Sequence, residues 1–382
     1  MAMRVLVTGG GIGGLTAAIA LRTVGADVEV LERASAFGEV GAGVQLGPNA
    51  TSVLRRLGLG AALDKIGYAP ETMRILRWRN DATLGEWPLA DKMREEYGAP
   101  YYTAYRPDLI ELLATALPAE SVRLASKVTE VDLESTAVTL ASGGRLAADL
   151  IVGADGTHST VRGATVGHVP ARFSGRCAYR AMVPVQPGDD LSVRLWLGPD
   201  RHVVVYPMGR GPAWINIVCI VPEPDWQEES WTAPGTAAEL REHFREWSPS
   251  LRALLDRVTE PVFRWALYDR EPLAAWSTPT TTLLGDAAHP MLPYLAQGAA
   301  QSIEDAGALA VSVEDSVPAT LRAYETRRRE HTSRIQRMAW DNNVAYHLAD
   351  GDAQRQRDAD IAAGRGFHPY ELSWLYGNNA AA

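Results

Sequence analysis

The chain has 382 residues, of which 46% are apolar, so it can bury a large core in one or two domains. Its net charge of −9 argues against a surface that binds nucleic acid or anionic membranes. The two cysteines, Cys177 and Cys219, form neither a disulfide framework nor a metal-ligand pattern, so we expect reduced thiols, no metal site and a cytoplasmic location. The sequence contains no apolar run long enough to cross a membrane, and glycines interrupt its apolar start, so no signal peptide is expected.

The first 31 residues predict a strand–helix–strand unit. Residues 4–8 form a short apolar run, residues 14–24 are rich in alanine and leucine, and residues 28–31 form a second apolar run. Gly25 stands where a glycine commonly ends a helix. The unit therefore opens an α/β fold of the Rossmann type.

A glycine turn lies between the first strand and the helix. Gly9, Gly11 and Gly14 have the G-x-G-x-x-G spacing, which permits a tight turn, close approach to a pyrophosphate and close packing of the helix on the strand. Glu32 ends the second strand, where a carboxylate can accept hydrogen bonds from a ribose diol. This pattern predicts dinucleotide binding but does not distinguish NAD from FAD.

Two further strand–turn motifs occur downstream. An apolar strand at 150–152 runs into Gly153–Gly156, and Leu283-Leu284 runs into Gly285–Pro290. With the glycine turn, Glu32-Arg33 and Tyr105–Leu109, these motifs resemble in order and spacing the single-component FAD-dependent aromatic hydroxylases, which share the 4-hydroxybenzoate hydroxylase fold. The resemblance is nearest to the salicylate, 6-hydroxynicotinate and 3-hydroxybenzoate monooxygenases.

The resemblance implies bound FAD and indicates which residues hold it. Asp286 would hold the ribityl or pyrophosphate part, Arg106 would approach the flavin, and Val44-Gln45 would follow a turn at 41–43 beside it. Backbone N–H groups at Gly298 and Ala299 would stabilise negative charge on the reduced flavin. The cofactor-binding residues expected from motif and resemblance are Gly9, Gly11, Gly13, Gly14, Glu32, Arg33, Val44, Gln45, Arg106, Val128, Asp286, Gly298 and Ala299. From the residues alone, Arg106 could instead form a surface ion pair, and Asp155-Gly156 could be an ordinary turn.

Between the flavin motifs the pattern changes to antiparallel strands. Residues 191–197, 202–206 and 213–221 alternate or run apolar between turn residues, and alternation places His202, Val204 and Tyr206 on one face. The imidazole of His202 and the phenol of Tyr206 could form a site that binds and deprotonates a phenol. Alternatively, the two side chains could lie at a sheet edge that faces solvent. The resemblance favours the first interpretation, with His202 as activating base and Tyr206 as substrate partner.

Other polar groups complete the expected site. The resemblance adds Tyr294 and Gln45 as substrate-binding residues, although hydroxynicotinate enzymes tend to carry histidine at both positions. We expect His158, His243 and His347 to be isolated structural or solvated groups, and His289 to be part of the scaffold.

The expected architecture is α/β, with a Rossmann-type FAD-binding domain, an inserted α+β substrate domain on an antiparallel sheet, and a C-terminal helix from Val317. The FAD-binding domain comprises 1–72, 101–175 and 267–382, and the substrate domain comprises 73–100 and 176–266.

The resemblance implies an FAD-dependent monooxygenase that hydroxylates a small aromatic acid or phenol through a C4a-hydroperoxyflavin, with loss of CO2 in the salicylate and 6-hydroxynicotinate branch. NADH or NADPH would visit transiently because the chain has no second G-x-G-x-x-G, O2 would be the co-substrate, and a homodimer is expected. A flavin oxidase or dehydrogenase, and a flavin-fold binding protein without turnover, are the alternatives.

Overall fold

The computed structural model describes residues 2–38, 42–209, 211, 213–225, 233–365 and 372–377. The strands of this described part are β1 (Arg4–Thr8), β2 (Asp27–Leu31), β3 (Gly43–Leu46), β4 (Thr72–Arg77), β5 (Thr83–Pro88), β6 (Tyr102–Tyr105), β7 (Val122–Arg123), β8 (Val128–Asp132), β9 (Ala137–Leu140), β10 (Arg145–Ala147), β11 (Leu150–Gly153), β12 (Arg172–Pro184), β13 (Val193–Gly198), β14 (Arg201–Met208), β15 (Trp214–Pro222), β16 (Pro234–Gly235), β17 (Val262–Asp269) and β18 (Thr281–Leu283). Its α-helices are α1 (Ile12–Thr23), α2 (Pro48–Arg56), α3 (Gly60–Ile66), α4 (Ala90–Tyr97), α5 (Arg106–Thr115), α6 (Thr160–Val166), α7 (Ala237–His243), α8 (Pro249–Asp256), α9 (Gly298–Val311), α10 (Val317–Ala345), α11 (Asp352–Ala362) and α12 (Ser373–Tyr376).

A five-stranded parallel sheet forms the first layer, in the order β18-β11-β1-β2-β7. The predicted strand–helix–strand unit is confirmed as β1, α1 and β2. Gly25 follows α1 with φ of 86°, a left-handed conformation that costs glycine little and ends the helix. Helix α1 is buried over most of its length because it packs against the sheet and α9.

An eight-stranded sheet forms the second lobe, in the order β16-β17-β12-β15-β14-β13-β4-β5. The predicted antiparallel meander is confirmed as β13, β14 and β15. One neighbouring pair, β13 and β4, is parallel, because β4 comes from an earlier part of the chain and not from a hairpin. The sheet takes its strands from residues 72–88 and 172–269, and the division into two domains stays a prediction.

The two faces of this sheet are buried in different cores. Val203 and Val205 of β14 pack in a core with α7 and α8. Val204 packs on the other face, in a core that includes Ala339 of α10 and Ile361 of α11. Alternation along β14 therefore directs His202 and Tyr206 away from the first core, toward the parallel sheet lobe.

Helix α10 begins at Val317, as predicted, and runs for 29 residues. Its Leu321, Tyr324, Arg328 and Ile335 are buried, which agrees with the helical spacing seen in the sequence. Within the described ranges, no helix combines the length and apolarity required to span a membrane.

Candidate active site

A cavity lies between the two lobes and brings together residues from distant parts of the chain. Its lining includes several predicted residues, namely Gly11, Gly13, Val44, Gln45, Arg106, His202, Tyr206, Asp286, Gly298 and Ala299. The glycine turn, the Gly285-Asp286 element and the meander thus share one site.

The glycine turn is closed on one side and open on the other. A Cβ atom on Gly14 would lie 1.9 Å from the carbonyl oxygen of Gly9, and one on Gly9 would lie 2.3 Å from that of Ala154. A Cβ on Gly11 would meet no atom within 4 Å, and Gly11 lines the cavity at the start of α1. The first N–H groups of α1 therefore adjoin open space, as binding of a pyrophosphate requires.

Glu32 is held beside the glycine turn. Its carboxylate accepts hydrogen bonds from the backbone N–H groups of Gly10 (2.6 Å) and Ala34 (2.7 Å). Arg33 is exposed, and Val128 begins β8 close behind Ser126, whose N–H donates to the carbonyl of Glu32. Contacts of Glu32, Arg33 and Val128 with the cofactor stay predictions.

A buried ionic network holds the Gly285-Asp286 element. Gly285 has φ of 62°, and its N–H donates to Oδ2 of Asp305 at 3.0 Å. The same oxygen lies 2.6 Å from Nε2 of His289, while Arg328 donates to Oδ1 at 2.7 Å. Burial acts to raise the pKa of Asp305, but His289 and Arg328 outweigh burial and hold it at about 2. His289 thus contacts the scaffold, in line with its predicted role.

Opposite charges lie near each other in the flavin part of the cavity. Burial lowers the pKa of Arg106, and the Asp286 carboxylate acts in the opposite direction. Helix α9 begins at Gly298, so the N–H groups of Gly298 and Ala299 lie at its positive end. These groups fit the predicted contacts with FAD, because they offer a cation, a carboxylate and unpaired helix donors around one cavity.

The Asp155-Gly156 pair is more than an ordinary turn. The carboxylate of Asp155 accepts from the N–H groups of Thr160 (2.8 Å) and Val161 (3.2 Å), at the start of α6. Arg162 of this helix donates to the carbonyl of Ala287 at 3.1 Å. The motif therefore anchors the loop that bears Asp286, a role for Arg162 that sequence reasoning missed.

His202 is paired with a second histidine. Its Nδ1 lies 2.7 Å from Nε2 of His347, and the two rings are 1% and 5% exposed. The expectation that His347 is isolated is therefore wrong, because packing of the segment after α10 against β14 joins residues 145 positions apart. His243 is not isolated either, since its Nε2 lies 3.3 Å from Glu223.

Tyr206 lies against the backbone of the flavin lobe. A Cβ on Gly43 would be 2.7 Å from the Tyr206 hydroxyl, and the Gly43 N–H donates to Oδ1 of Asn216 at 2.9 Å. Burial raises the pKa of Tyr206 despite the opposing Arg180 cation, so the phenol stays protonated at neutral pH.

Gln45 and Tyr294 occupy different positions. Gln45 lines the cavity, and its Oε1 accepts from the Tyr101 hydroxyl at 2.7 Å. No residue of the described ranges accepts a hydrogen bond from its side-chain N–H groups, which can therefore face a ligand. Tyr294 lies behind His202, with the two ring centroids 5.1 Å apart, and its hydroxyl donates to Oδ1 of Asn343. The structure thus places Tyr294 against His202 and not at the cavity wall. Gly41 of the predicted turn lies outside the described residues.

Arg180 is a cavity residue that the sequence did not reveal. It lies on β12, and its guanidinium carbon is 3.4 Å from the ring centroid of Trp265. Burial lowers its pKa to about 9, with Tyr206 opposing and Arg106 assisting. Arg180 is one of three arginines on β12, with Arg172 and Arg176, so its residue type alone does not single it out as a ligand-binding group.

The fold and cavity define a two-lobed dinucleotide-binding protein with a ligand site between its lobes. The chain belongs to the FAD binding domain family, whose model matches residues 2–339. It is 39% identical to a 3-amino-4-hydroxybenzoate 2-monooxygenase of Streptomyces platensis, over 99% of this chain and 96% of the relative. It is 37% identical to a 6-hydroxynicotinate 3-monooxygenase of Bordetella bronchiseptica, over 89% of this chain and 91% of the relative.

A solved salicylate hydroxylase substrate complex superposes with a TM-score of 0.83 at 26% identity, covering 99% of this chain and 96% of that one. The predicted family, fold class, FAD cofactor and enzyme class, an FAD-dependent monooxygenase, are confirmed by these similarities.

Proposed function

We propose that the protein uses FAD, NADH or NADPH, and O2 to hydroxylate a small aromatic acid that carries a ring hydroxyl. One observation carries the proposal: His202 and Arg180 line the same cavity as the predicted flavin residues. An imidazole suits a hydroxyl group and a guanidinium suits a carboxylate. The names of the two relatives given above describe ring compounds with both groups.

Arg180 is suited to the carboxylate end of the substrate. Its stacking on Trp265 holds the guanidinium plane, and burial already disfavours the cation. A carboxylate would offset that cost through charge-assisted hydrogen bonds, which contribute about 1.5–3 kcal/mol. The N–H groups of Gln45 offer further donors on the same cavity wall.

His202 and Tyr206 are suited to the hydroxyl end. A neutral imidazole can accept the phenolic proton, and a phenolate ring is a better nucleophile than a phenol. The protonated Tyr206 can donate to the substrate oxygen. Burial, His347 and Arg176 lower the pKa of His202, so its imidazole is neutral and able to accept a proton before the substrate binds. Arg106, Asp286 and the start of α9 would hold FAD, which would supply the oxygen-activating redox chemistry when bound.

A substrate panel tests the proposal. We would test whether 3-amino-4-hydroxybenzoate, 6-hydroxynicotinate, 3-hydroxybenzoate or salicylate stimulates the oxidation of NADH or NADPH. The masses of products formed under 18O2 would then be measured by mass spectrometry. We expect at least one acid to accelerate oxidation and to gain one labelled oxygen atom, and the product mass shows whether CO2 is lost. Hydrogen peroxide formation without a labelled product would instead support a flavin oxidase.

A charge comparison tests Arg180 separately. For the active acid we expect roughly 10- to 100-fold lower KM than for its neutral amide, from the magnitude of charge-assisted hydrogen bonds. Arg180→Met should remove this difference, whereas Arg74→Met, which breaks an ion pair with Asp190 elsewhere on the sheet, should retain it. An unchanged acid preference in Arg180→Met would exclude Arg180 as the carboxylate partner.

A further inference from the structure

A three-member hydrogen-bond chain extends from the cavity into the second lobe. Nδ1 of His202 lies 2.7 Å from Nε2 of His347, and Nδ1 of His347 lies 2.7 Å from the carbonyl oxygen of Asn343. His202 lines the cavity, and its Nε2 makes no hydrogen bond within the described part of the chain.

The positions of the hydrogens in this hydrogen-bond chain can be assigned by starting at the carbonyl of Asn343. A carbonyl oxygen only accepts, so Nδ1 of His347 carries a hydrogen and donates to Asn343. Burial lowers the pKa of His347 to about 3, so the ring is neutral and its Nε2 is an acceptor. The hydrogen between the two rings therefore belongs to Nδ1 of His202, whose Nε2 keeps its lone pair.

We infer that His347 is a positioning residue that holds His202 in the tautomer with a basic Nε2 on the cavity side. The inference rests on the proposed function in one respect, namely that His202 accepts the proton of the substrate hydroxyl. In this step the substrate O–H bond breaks and an Nε2–H bond forms, while Nδ1–H remains bonded to His347.

The surroundings of His202 fix its ring as well as its tautomer. The rings of Tyr294 and Tyr346 each lie edge-on, with centroids 5.1 Å from that of His202. Arg176 is the nearby cation, and its Nε donates to Oδ1 of Asn343 at 3.0 Å. The hydroxyl of Tyr294 donates to Asn343, and that of Tyr346 donates to the carbonyl of Tyr294. The hydrogen-bond acceptor beside Nδ1 of His202 is therefore Nε2 of His347, which selects the Nδ1–H tautomer.

Histidine 15N NMR of the FAD-loaded enzyme, without substrate, tests the tautomer directly. The chain has only eight histidines, and a His202→Gln variant assigns the relevant signals. We expect His202 to be protonated at Nδ1 in the wild type. His347→Gln should retain this tautomer because its amide oxygen can accept the same hydrogen bond, whereas His347→Leu should lose it.

Two results would overturn the inference: a wild-type His202 protonated at Nε2, or an unchanged tautomer in His347→Leu. If His347→Leu does not fold, the His202 15N signals of the wild type and of His347→Gln still show whether Nδ1 carries the hydrogen. With the active acid we expect kcat to fall roughly 100-fold or more in His347→Leu, the usual scale of general-base loss, and to recover in His347→Gln. A confirmed tautomer with unchanged kcat in His347→Leu would refute His202 as base and leave the positioning result intact.

Discussion

Arg328→Met should destabilise the protein more than any exposed arginine on the same helix. Arg328 is fully buried and donates to Glu304 at 2.9 Å, to Asp305 at 2.7 Å and to Gln301 at 2.6 Å. Its removal takes the cation at 2.9 Å from buried Glu304 and one of two close ion-pair partners from buried Asp305. Breaking a buried ion pair from one side costs about 3–5 kcal/mol, and we expect a loss of at least this size in the free energy of unfolding.

The effect should also reach the cofactor. Asp305 holds the N–H of Gly285 and the ring of His289, so a displaced Asp305 loosens the loop that bears Asp286. We therefore expect purified Arg328→Met to retain less FAD, which its flavin absorbance would show.

Chemical denaturation at a fixed, saturating FAD concentration measures the stability change, because bound ligand contributes to stability. The matched control is Arg337→Met on the same helix, where the arginine side chain is 59% exposed and lies 3.8 Å from Glu330. The control should cost no more than about 1 kcal/mol. A stability loss for Arg328→Met within the range of the control would refute the reasoning.

Three further outcomes are expected. Gly11→Ala should keep the apoprotein fold but weaken FAD binding, whereas Gly14→Ala should unfold the protein, because, of the two added methyl groups, only that of Gly14 would collide with backbone atoms. Circular dichroism measures the fold and FAD titration measures binding. Equal stability losses in the two variants would contradict this prediction. Burial lowers the pKa of His331 to about 4 and of His347 to about 3, whereas unfolded histidines bind protons near pH 6.5. The unfolded state therefore binds more protons below pH 6.5, and these two histidines together should lower the free energy of unfolding by about 4 kcal/mol from pH 7 to 5. Denaturation curves at both pH values test this, and a flat profile would refute it. Tyr206→Phe should retain FAD and raise KM roughly 3- to 10-fold, as expected for one lost hydrogen bond, and an unchanged KM would remove Tyr206 as a substrate partner.

Local patterns in the sequence predicted much of the fold. The strand–helix–strand unit follows from apolar runs and turn glycines, which act over a few residues. Alternation along β14 correctly placed His202 and Tyr206 on one side, because side-chain direction in a strand depends only on parity. The resemblance then linked Arg106 and Asp286, which the cavity indeed brings together.

The groups that the sequence did not reveal are those whose partners are distant. Arg180 meets Trp265 across neighbouring strands, and Arg328 meets Asp305 between two helices. No period or motif encodes such pairs, since each depends on how whole elements pack. Tyr294 was placed in the site by resemblance, yet its hydroxyl bonds to Asn343 behind His202.

The sequence by itself determined dinucleotide binding and the shared face of His202 and Tyr206, because turn chemistry and side-chain parity are local properties. Only the tertiary structure decided which titratable groups meet and in which protonation state. His202 could carry its hydrogen on either nitrogen until His347, 145 residues away, is packed beside it as a hydrogen-bond acceptor.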